Sequence, residues 1–274
     1  MKVSDAYKKA VFFLKENGVD DAEFEVSCVL DTLFSLPMNK RLTYPETEID
    51  YNNLEVSLKR RASGEPLQYI LGSWNFCGFE YKIGRGVLIP RPETELLVEK
   101  TVELIKNIKS PVIYDLCAGS GCIGLTLARL VPSSSVFLFE KSDEAISFLE
   151  ENAKGIENAV VFKADIFAFD ASGLDKPSVL VSNPPYIKTD EIPSLQKEVL
   201  SEPYMALDGG TDGLMFYRCI SDRWLPLLEE NGFAAVECGE HQAEEIMDIF
   251  SQALSNTYFV EDFNKIKRIV IGEK

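Results

Sequence analysis

Histidine is almost missing from this chain: His241 is the one imidazole in 274 residues. A histidine-centred proton shuttle has little to draw on, and neither do the common zinc sites. The six cysteines, at 28, 77, 117, 122, 219 and 238, offer no second pair to complete a site with Cys117 and Cys122. No metal is expected, and thiols scattered through apolar stretches suit a reduced, cytoplasmic protein. No apolar run approaches the ~18 residues of a membrane span, and Met1-Lys2-Val3-Ser4-Asp5 has no signal-peptide core. Basic charge is short as well, with 28 Lys and Arg against 44 Asp and Glu, a net −16. A duplex-gripping face is normally basic. Lys40-Arg41 and Lys59-Arg60-Arg61 are local exceptions, yet the balance favours a protein or small-molecule substrate with no direct nucleic-acid contact.

What is present centres on Asn183-Pro184-Pro185-Tyr186. Asn183 brings an amide oxygen and an NH2. Two consecutive prolines fix φ, push their predecessors towards extended geometry and remove two N–H donors. The carbonyls of Asn183 and Pro184 therefore sit in a stiff, donor-poor turn, with the Tyr186 ring beside it. Such a corner is a receptor for a planar NH2 group, as on glutamine, asparagine, adenine or cytosine. Asn-Pro is also an ordinary loop starter.

Residues 1–73 read as a helical domain. Tyr7, Ala10, Val11 and Leu14 recur at helical spacing, as do Val26, Val29, Leu30 and Leu33. Asn17-Gly18 ends the first helix, Asp20 or Asp21 caps the second, and a third spans roughly 47–63. Residues 74–90 alternate as a linking β-hairpin, with Gly84-Arg85-Gly86 as the turn. Ile89-Pro90-Arg91-Pro92-Glu93-Thr94-Glu95 then opens a helix running to about 108, and a larger domain over 91–274 begins. From 111 strands and helices alternate, with helices expected over 213–229 and 240–253. This pattern implies an α/β fold, a doubly wound and mostly parallel sheet covered on both faces.

Asp115-Leu116-Cys117-Ala118-Gly119-Ser120-Gly121-Cys122-Ile123-Gly124 lies at the first strand-to-helix crossing. Its glycines bring a ligand close to a helix N-terminus. Gly119-x-Gly121-x-x-Gly124 matches the dinucleotide fingerprint, and Glu140, 19 residues past Gly121, is placed for a ribose diol. Read alone, that is a nicotinamide site. Asp115 argues otherwise, since a carboxylate opposes a pyrophosphate and suits the ammonium of an amino acid. Asp165 is placed for an adenine amino group with Ile166 on the ring, and Asn183 opens on the same crevice. An amino acid, a ribose and an adenine together describe S-adenosylmethionine.

The glycine stretch, Glu140, Asp165 and the Asn183–Tyr186 turn resemble the class I methyltransferases that act on amino groups. The Ile89–Glu95 stretch, the helical N-terminus and Asp208-Gly209-Gly210-Thr211-Asp212-Gly213-Leu214 narrow this to a resemblance to the HemK/PrmC family, glutamine N5-methyltransferases of peptide chain release factors. The likeness departs at Asn264-Lys265-Ile266-Lys267-Arg268, where the family often has a glycine and an arginine. The resemblance implies a Rossmann-like, seven-stranded sheet whose last strand inserts antiparallel. It implies S-adenosylmethionine as cofactor, S-adenosylhomocysteine as product, and a helical domain that helps hold the release factor; a monomer is expected. Its cofactor would meet Asp115, Cys117, Ala118, Gly119, Ser120, Gly121, Glu140, Asp165, Ile166 and Asn183. Its Gly-Gly-Gln glutamine would meet Asn183, Pro184, Pro185, Tyr186, Arg91 and Glu93. Ribosomal-protein glutamine, or an exocyclic amine of adenine or cytosine, would suit the same turn.

Overall fold

The computed structural model describes residues 1–274 and divides into two compact units. The smaller comprises Met1–Ser73 together with Gln196–Ser201, the larger Trp74–Leu195 with Glu202–Lys274. In the smaller unit five helices follow one another: α1 (Val3–Glu16), α2 (Ala22–Phe34), α3 (Met38–Thr43), α4 (Tyr51–Ala62) and α5 (Leu67–Leu71). Val3, Ala6, Ala10 and Leu14 form the buried stripe of α1, and Val26, Val29 and Leu30 that of α2. α4 starts later than its sequence pattern suggests. Residues before it are drawn out by Val3 N–H bonding the Thr47 carbonyl, and the Asp50 side chain caps Asn52 N at 3.0 Å. The periodicity gives no position for α3, because it buries none of its residues and so carries no apolar period.

The larger unit begins with a hairpin of β1 (Ser73–Phe76) and β2 (Phe79–Lys82). Its turn is Cys77-Gly78, not Gly84-Arg85-Gly86. Both turn residues have positive φ (51° and 79°), the pattern that matches the twist of a two-residue hairpin. Gly84 and Gly86 instead pass close to Phe148 and Glu144, where added Cβ atoms would come within 2.8 and 2.5 Å. The hairpin is tied inward by Asn152, which exchanges hydrogen bonds with the backbone of Lys82 and donates to the Ser120 carbonyl.

The remaining order is α6 (Glu95–Ile105), β3 (Val112–Leu116), α7 (Cys122–Leu130), β4 (Ser135–Glu140), α8 (Asp143–Ala153), β5 (Ala159–Lys163), β6 (Val179–Ser182), α9 (Lys197–Leu200), α10 (Tyr204–Leu207), α11 (Met215–Cys219), β7 (Phe233–Glu237), α12 (Ala243–Phe250), β8 (Asn256–Glu261) and β9 (Lys267–Glu273). Of these, α9 clusters with the smaller unit. The seven strands run β5-β4-β3-β6-β7-β9-β8. The first five in that order pair parallel, and β9 pairs antiparallel with both β7 and β8. Val179, Leu180, Val181 and Ser182 are buried on both faces, as a central parallel strand requires. The helix expected over 213–229 breaks up: after α11 the chain makes a wide turn at Ile220–Trp224 and a tight one at Leu225–Leu227, where Pro226 removes a helical donor. Strand order reverses between β3 and β6, so the loops after these strands open on one crevice at their carboxyl ends.

Candidate active site

The loop after β3 is shaped by its glycines. Gly121 has φ 82°, and a Cβ there would lie 2.4 Å from the Leu149 side chain. Gly124 packs as tightly, with 2.8 Å from a would-be Cβ to Asp115 Oδ2. Asp115 is fully buried, and its Oδ2 accepts from Gly124 N at 2.8 Å, pinning the first turn of α7. Burial pushes this carboxyl up to about 7, opposed by the Gly124 N–H and reinforced by Glu140. Asp115 was expected to face a ligand ammonium; one of its oxygens is taken by Gly124 N and the other, Oδ1, is left without a partner. It lies beneath the glycine turn, and neither it nor Gly121 lines the cavity.

Cys117, Ala118, Gly119, Ser120, Glu140, Asp165, Ile166 and Asn183 do line it. The cavity encloses ≈ 1010 Å³ with its open mouth included. Glu140 accepts from Gly119 N (2.8 Å) and Ser142 N (2.7 Å), one bond per oxygen. Each oxygen keeps a further lone pair for a diol. Asp165 accepts from Phe167 N at 3.0 Å and pairs with Lys141 at 2.8 Å. Desolvation raises its pKa, but Lys141 and the Phe167 N–H together hold it below the usual carboxylate range. Phe167 and Phe216, edge to face at 5.1 Å, also line this part of the cavity.

The loop after β6 places Asn183 and Pro185 on the cavity wall. Pro184 and Tyr186, also expected to meet substrate, do not line this cavity. Tyr186 is instead built into the support. Its carbonyl accepts from Gln242 Nε2 at 3.0 Å, and its ring abuts Gly239, where a Cβ would lie 3.1 Å away. The Asp208–Leu214 stretch closes over the turn: a Cβ on Gly209 would meet Tyr186 Cα at 2.7 Å, and one on Gly213 would meet the Tyr186 carbonyl at 2.5 Å. Those glycines exist because the backbone of the turn passes through the space a side chain would need.

Arg91 lines the cavity and pairs with Glu202, whose second oxygen accepts from Ile89 N at 3.0 Å. Glu93, also expected to meet substrate, is exposed and does not line the cavity. Three residues that sequence reasoning missed complete the surroundings of Asn183. Its Nδ2 donates to Thr94 Oγ1 at 3.3 Å, and Thr94 Oγ1 donates to Glu237 Oε2 at 2.6 Å. Gln242 braces Tyr186 from behind. Thr94 sat inside a stretch already singled out, whereas Glu237 and Gln242 left no signal beyond their positions at and after the end of β7.

Asn183 Oδ1 is buried and has no hydrogen-bond partner, and the same holds for Ser120 Oγ and Asp115 Oδ1. An acceptor left open in a buried site costs free energy unless a ligand donor completes it. The donor-rich ends of an amino acid and a nucleoside fit this set. No cluster of His, Cys, Asp or Glu suits a metal ion.

The PrmC N-terminal domain family matches residues 5–72, and the methyltransferase small domain family matches residues 92–215. The release factor glutamine methyltransferase of Thermodesulfovibrio yellowstonii is 40% identical over 224 residues, covering 79% of each chain. That of Clostridium acetobutylicum is 35% identical over 290 residues, covering 99% of this chain and 98% of the relative. Among solved structures, the hMettl16 catalytic domain in complex with an RNA hairpin superposes with TM-score 0.57 at 15% identity, covering 79% of this chain and 81% of that one. At that identity the likeness speaks for the fold alone.

Proposed function

The chain belongs to the release factor glutamine methyltransferase family, and on that premise we propose that it methylates the side-chain N5 of the glutamine in the Gly-Gly-Gln loop of a peptide chain release factor, with S-adenosylmethionine as donor. The observation that carries the reading is the open Asn183 Oδ1 on the cavity wall. A carboxamide nitrogen is a poor nucleophile because its lone pair is conjugated, with a rotation barrier of about 18–20 kcal/mol in a backbone amide. An acceptor that takes one N–H from outside the amide plane favours the pyramidal nitrogen that attacks.

S-adenosylmethionine, when bound, supplies a methyl group on a sulfonium centre. Its ribose would be held by Glu140, its adenine by Asp165 and Ile166, and its amino-acid end by the backbone of Cys117–Ser120. Arg91, fixed by Glu202, lines the same cavity. As positive charge passes to the glutamine nitrogen, Asn183 Oδ1 stabilises it, and the surplus proton leaves to water. His241 is not a candidate base, with a side chain 88% exposed. Rate enhancement then rests on positioning, which can reach roughly 7–11 kcal/mol.

This reading includes a cytoplasmic monomer whose 1–73 domain engages the release factor. No helix of the chain is long and apolar enough to cross a membrane. Isotopically labelled methyl donor offered side by side to release factor, ribosomal proteins, tRNA and DNA tests it. Label is expected in the release factor alone, and none after its loop glutamine is changed to alanine. Label in nucleic acid or ribosomal protein with none in release factor would overturn it.

A further inference from the structure

Asn183 has two chemically opposite ends, and only one suits an NH2 substrate. An amide oxygen accepts; the NH2 group donates. The side chain is nearly symmetric in shape, so packing alone discriminates poorly between the two orientations. The choice must come from what the far end meets. In this structure the Asn183 NH2 meets Thr94 Oγ1 at 3.3 Å, and the Thr94 hydroxyl has already given its single hydrogen to Glu237 Oε2 at 2.6 Å. A hydroxyl that donates in one direction keeps only lone pairs for the other.

The direction of the chain is fixed at its far end. An ionised carboxylate accepts only, so the chain keeps this direction while Glu237 carries its charge and can reverse once the carboxyl gains a proton. Glu237 ends β7 and is buried, with 3% of its surface exposed. Burial raises its pKa, while the Thr94 hydroxyl and the cations Arg268 and Arg91 favour its charged form and Glu93 opposes it. Tyr217 donates to its main-chain carbonyl at 2.8 Å, which anchors the strand end. Thr94 is itself buried, 2% exposed, just before α6.

Building on the proposed reaction, we infer that Thr94 and Glu237 are positioning residues of the transfer step. Their hydrogen-bond chain turns the Asn183 amide so that its oxygen faces the substrate NH2. Glu237 lies off the cavity wall; Thr94 is on it, and its part in the chain is the hydroxyl that meets the Asn183 NH2. Without the chain, Asn183 is free to present its own NH2, which repels the group it should receive. Glu237 is the source of the polarity, Thr94 the relay and Asn183 the reader. The same polarity excludes substrates that offer only acceptors at this point, which makes the chain a specificity device for NH2-bearing side chains.

The test uses the full-length protein with three substitutions, Thr94→Val, Thr94→Ser and Glu237→Gln. In the ligand-free protein the side-chain NH2 resonances of Asn183, assigned by their loss in Asn183→Ala, are followed by NMR. They are expected to shift in Thr94→Val and to stay at the wild-type position in Thr94→Ser. Steady-state methylation of release factor is expected to show kcat lowered about 5- to 10-fold in Thr94→Val, the equivalent of roughly one hydrogen bond. KM for the protein substrate and Kd for the methyl donor should change less than about twofold, and Thr94→Ser should recover most of kcat. Glu237→Gln, whose amide both donates and accepts, should lower kcat in the same direction. If the Asn183 resonances are unmoved in Thr94→Val, or if Thr94→Ser is as slow as Thr94→Val, the chain does not orient the amide and the inference falls. A wild-type protein that leaves release factor unmethylated would count against the proposed reaction instead, while the NMR comparison would still decide the role of the chain.

Discussion

At the scale of single residues the account turns on acceptors. Asn183→Ala removes the open oxygen without disturbing the glycine loop. By analogy with other charge-stabilising groups it should lower kcat by about 10²–10³. Methyl-donor affinity, read by calorimetry, should be nearly unchanged. Burial pushes the Glu237 carboxyl up to about 7, with Thr94 and Arg268 opposing. Between the ordinary glutamate value of 4.5 and that raised value, the folded protein holds a proton that the unfolded chain has released. Folding stability from this group is therefore complete below about pH 4 and is lost as pH rises towards 7, by up to about 3 kcal/mol. Asp115 acts in the same direction. Urea titrations from pH 5 to 8 should show a shallower fall for Glu237→Gln than for wild type; an identical fall would show that Glu237 is ionised throughout. Asn183 itself was legible in the sequence because two prolines advertise its turn. Thr94 and Glu237 were not, since a hydroxyl and a carboxylate far apart in the chain have no pattern until the fold brings them together.

At the scale of elements the site is two loops held by their neighbours. The glycines of Asp208–Leu214 are the clearest case, because they were recognised as a motif but their purpose was invisible. Only the fold reveals that Gly209 and Gly213 lie against Tyr186. Gly213→Ala would place a methyl 2.5 Å from both the Tyr186 carbonyl and Gln242 Nε2, at φ 76°. It should destabilise the larger unit by about 1–3 kcal/mol, the usual range for overpacking, and lower activity further than its loss of folded protein explains. Denaturant titration beside kcat measures both. Strands β3, β6 and β7 were readable because buried parallel strands are continuous apolar runs, and β5, at the sheet edge with no residue buried, by its Val160-Val161-Phe162 run. The hairpin turn was misplaced because glycine-rich 84–86 looked the better turn, while Cys77 accepted a positive φ that no sequence rule would assign to it.

At the scale of the whole molecule, Gln196–Ser201 clusters with residues 1–73 although it lies in the chain between Asn183 and the cavity-lining Pro203 and Met205. Within the smaller unit Arg61 holds it, donating to Glu25 Oε2 at 2.6 Å and to Glu198 Oε1 at 3.0 Å. Arg61 and Glu25 are nearly buried, with 12% and 11% of their side chains exposed, so the pair differs from an exposed ion pair worth little. Arg61→Ala should destabilise the smaller unit by on the order of 3 kcal/mol, because Glu25 is left without its partner. Proteolysis that cuts first within 1–73 or near 196–201 would report that loss. The sequence showed a basic cluster at 59–61 as a local exception to the acidic balance; the fold uses Arg60 and Arg61 internally, on Glu65, Glu25 and Glu198.

The claim beneath all of this is that the Asn183 carbonyl oxygen stands ready for a carboxamide NH2. A crystal structure of the protein with the glutamine loop of a release factor and S-adenosylhomocysteine measures it most directly. The account predicts the glutamine nitrogen within about 2.7–3.2 Å of Asn183 Oδ1, with Asn183 Nδ2 still on Thr94. A glutamine held by other groups, with the Asn183 oxygen turned to Thr94, would contradict it.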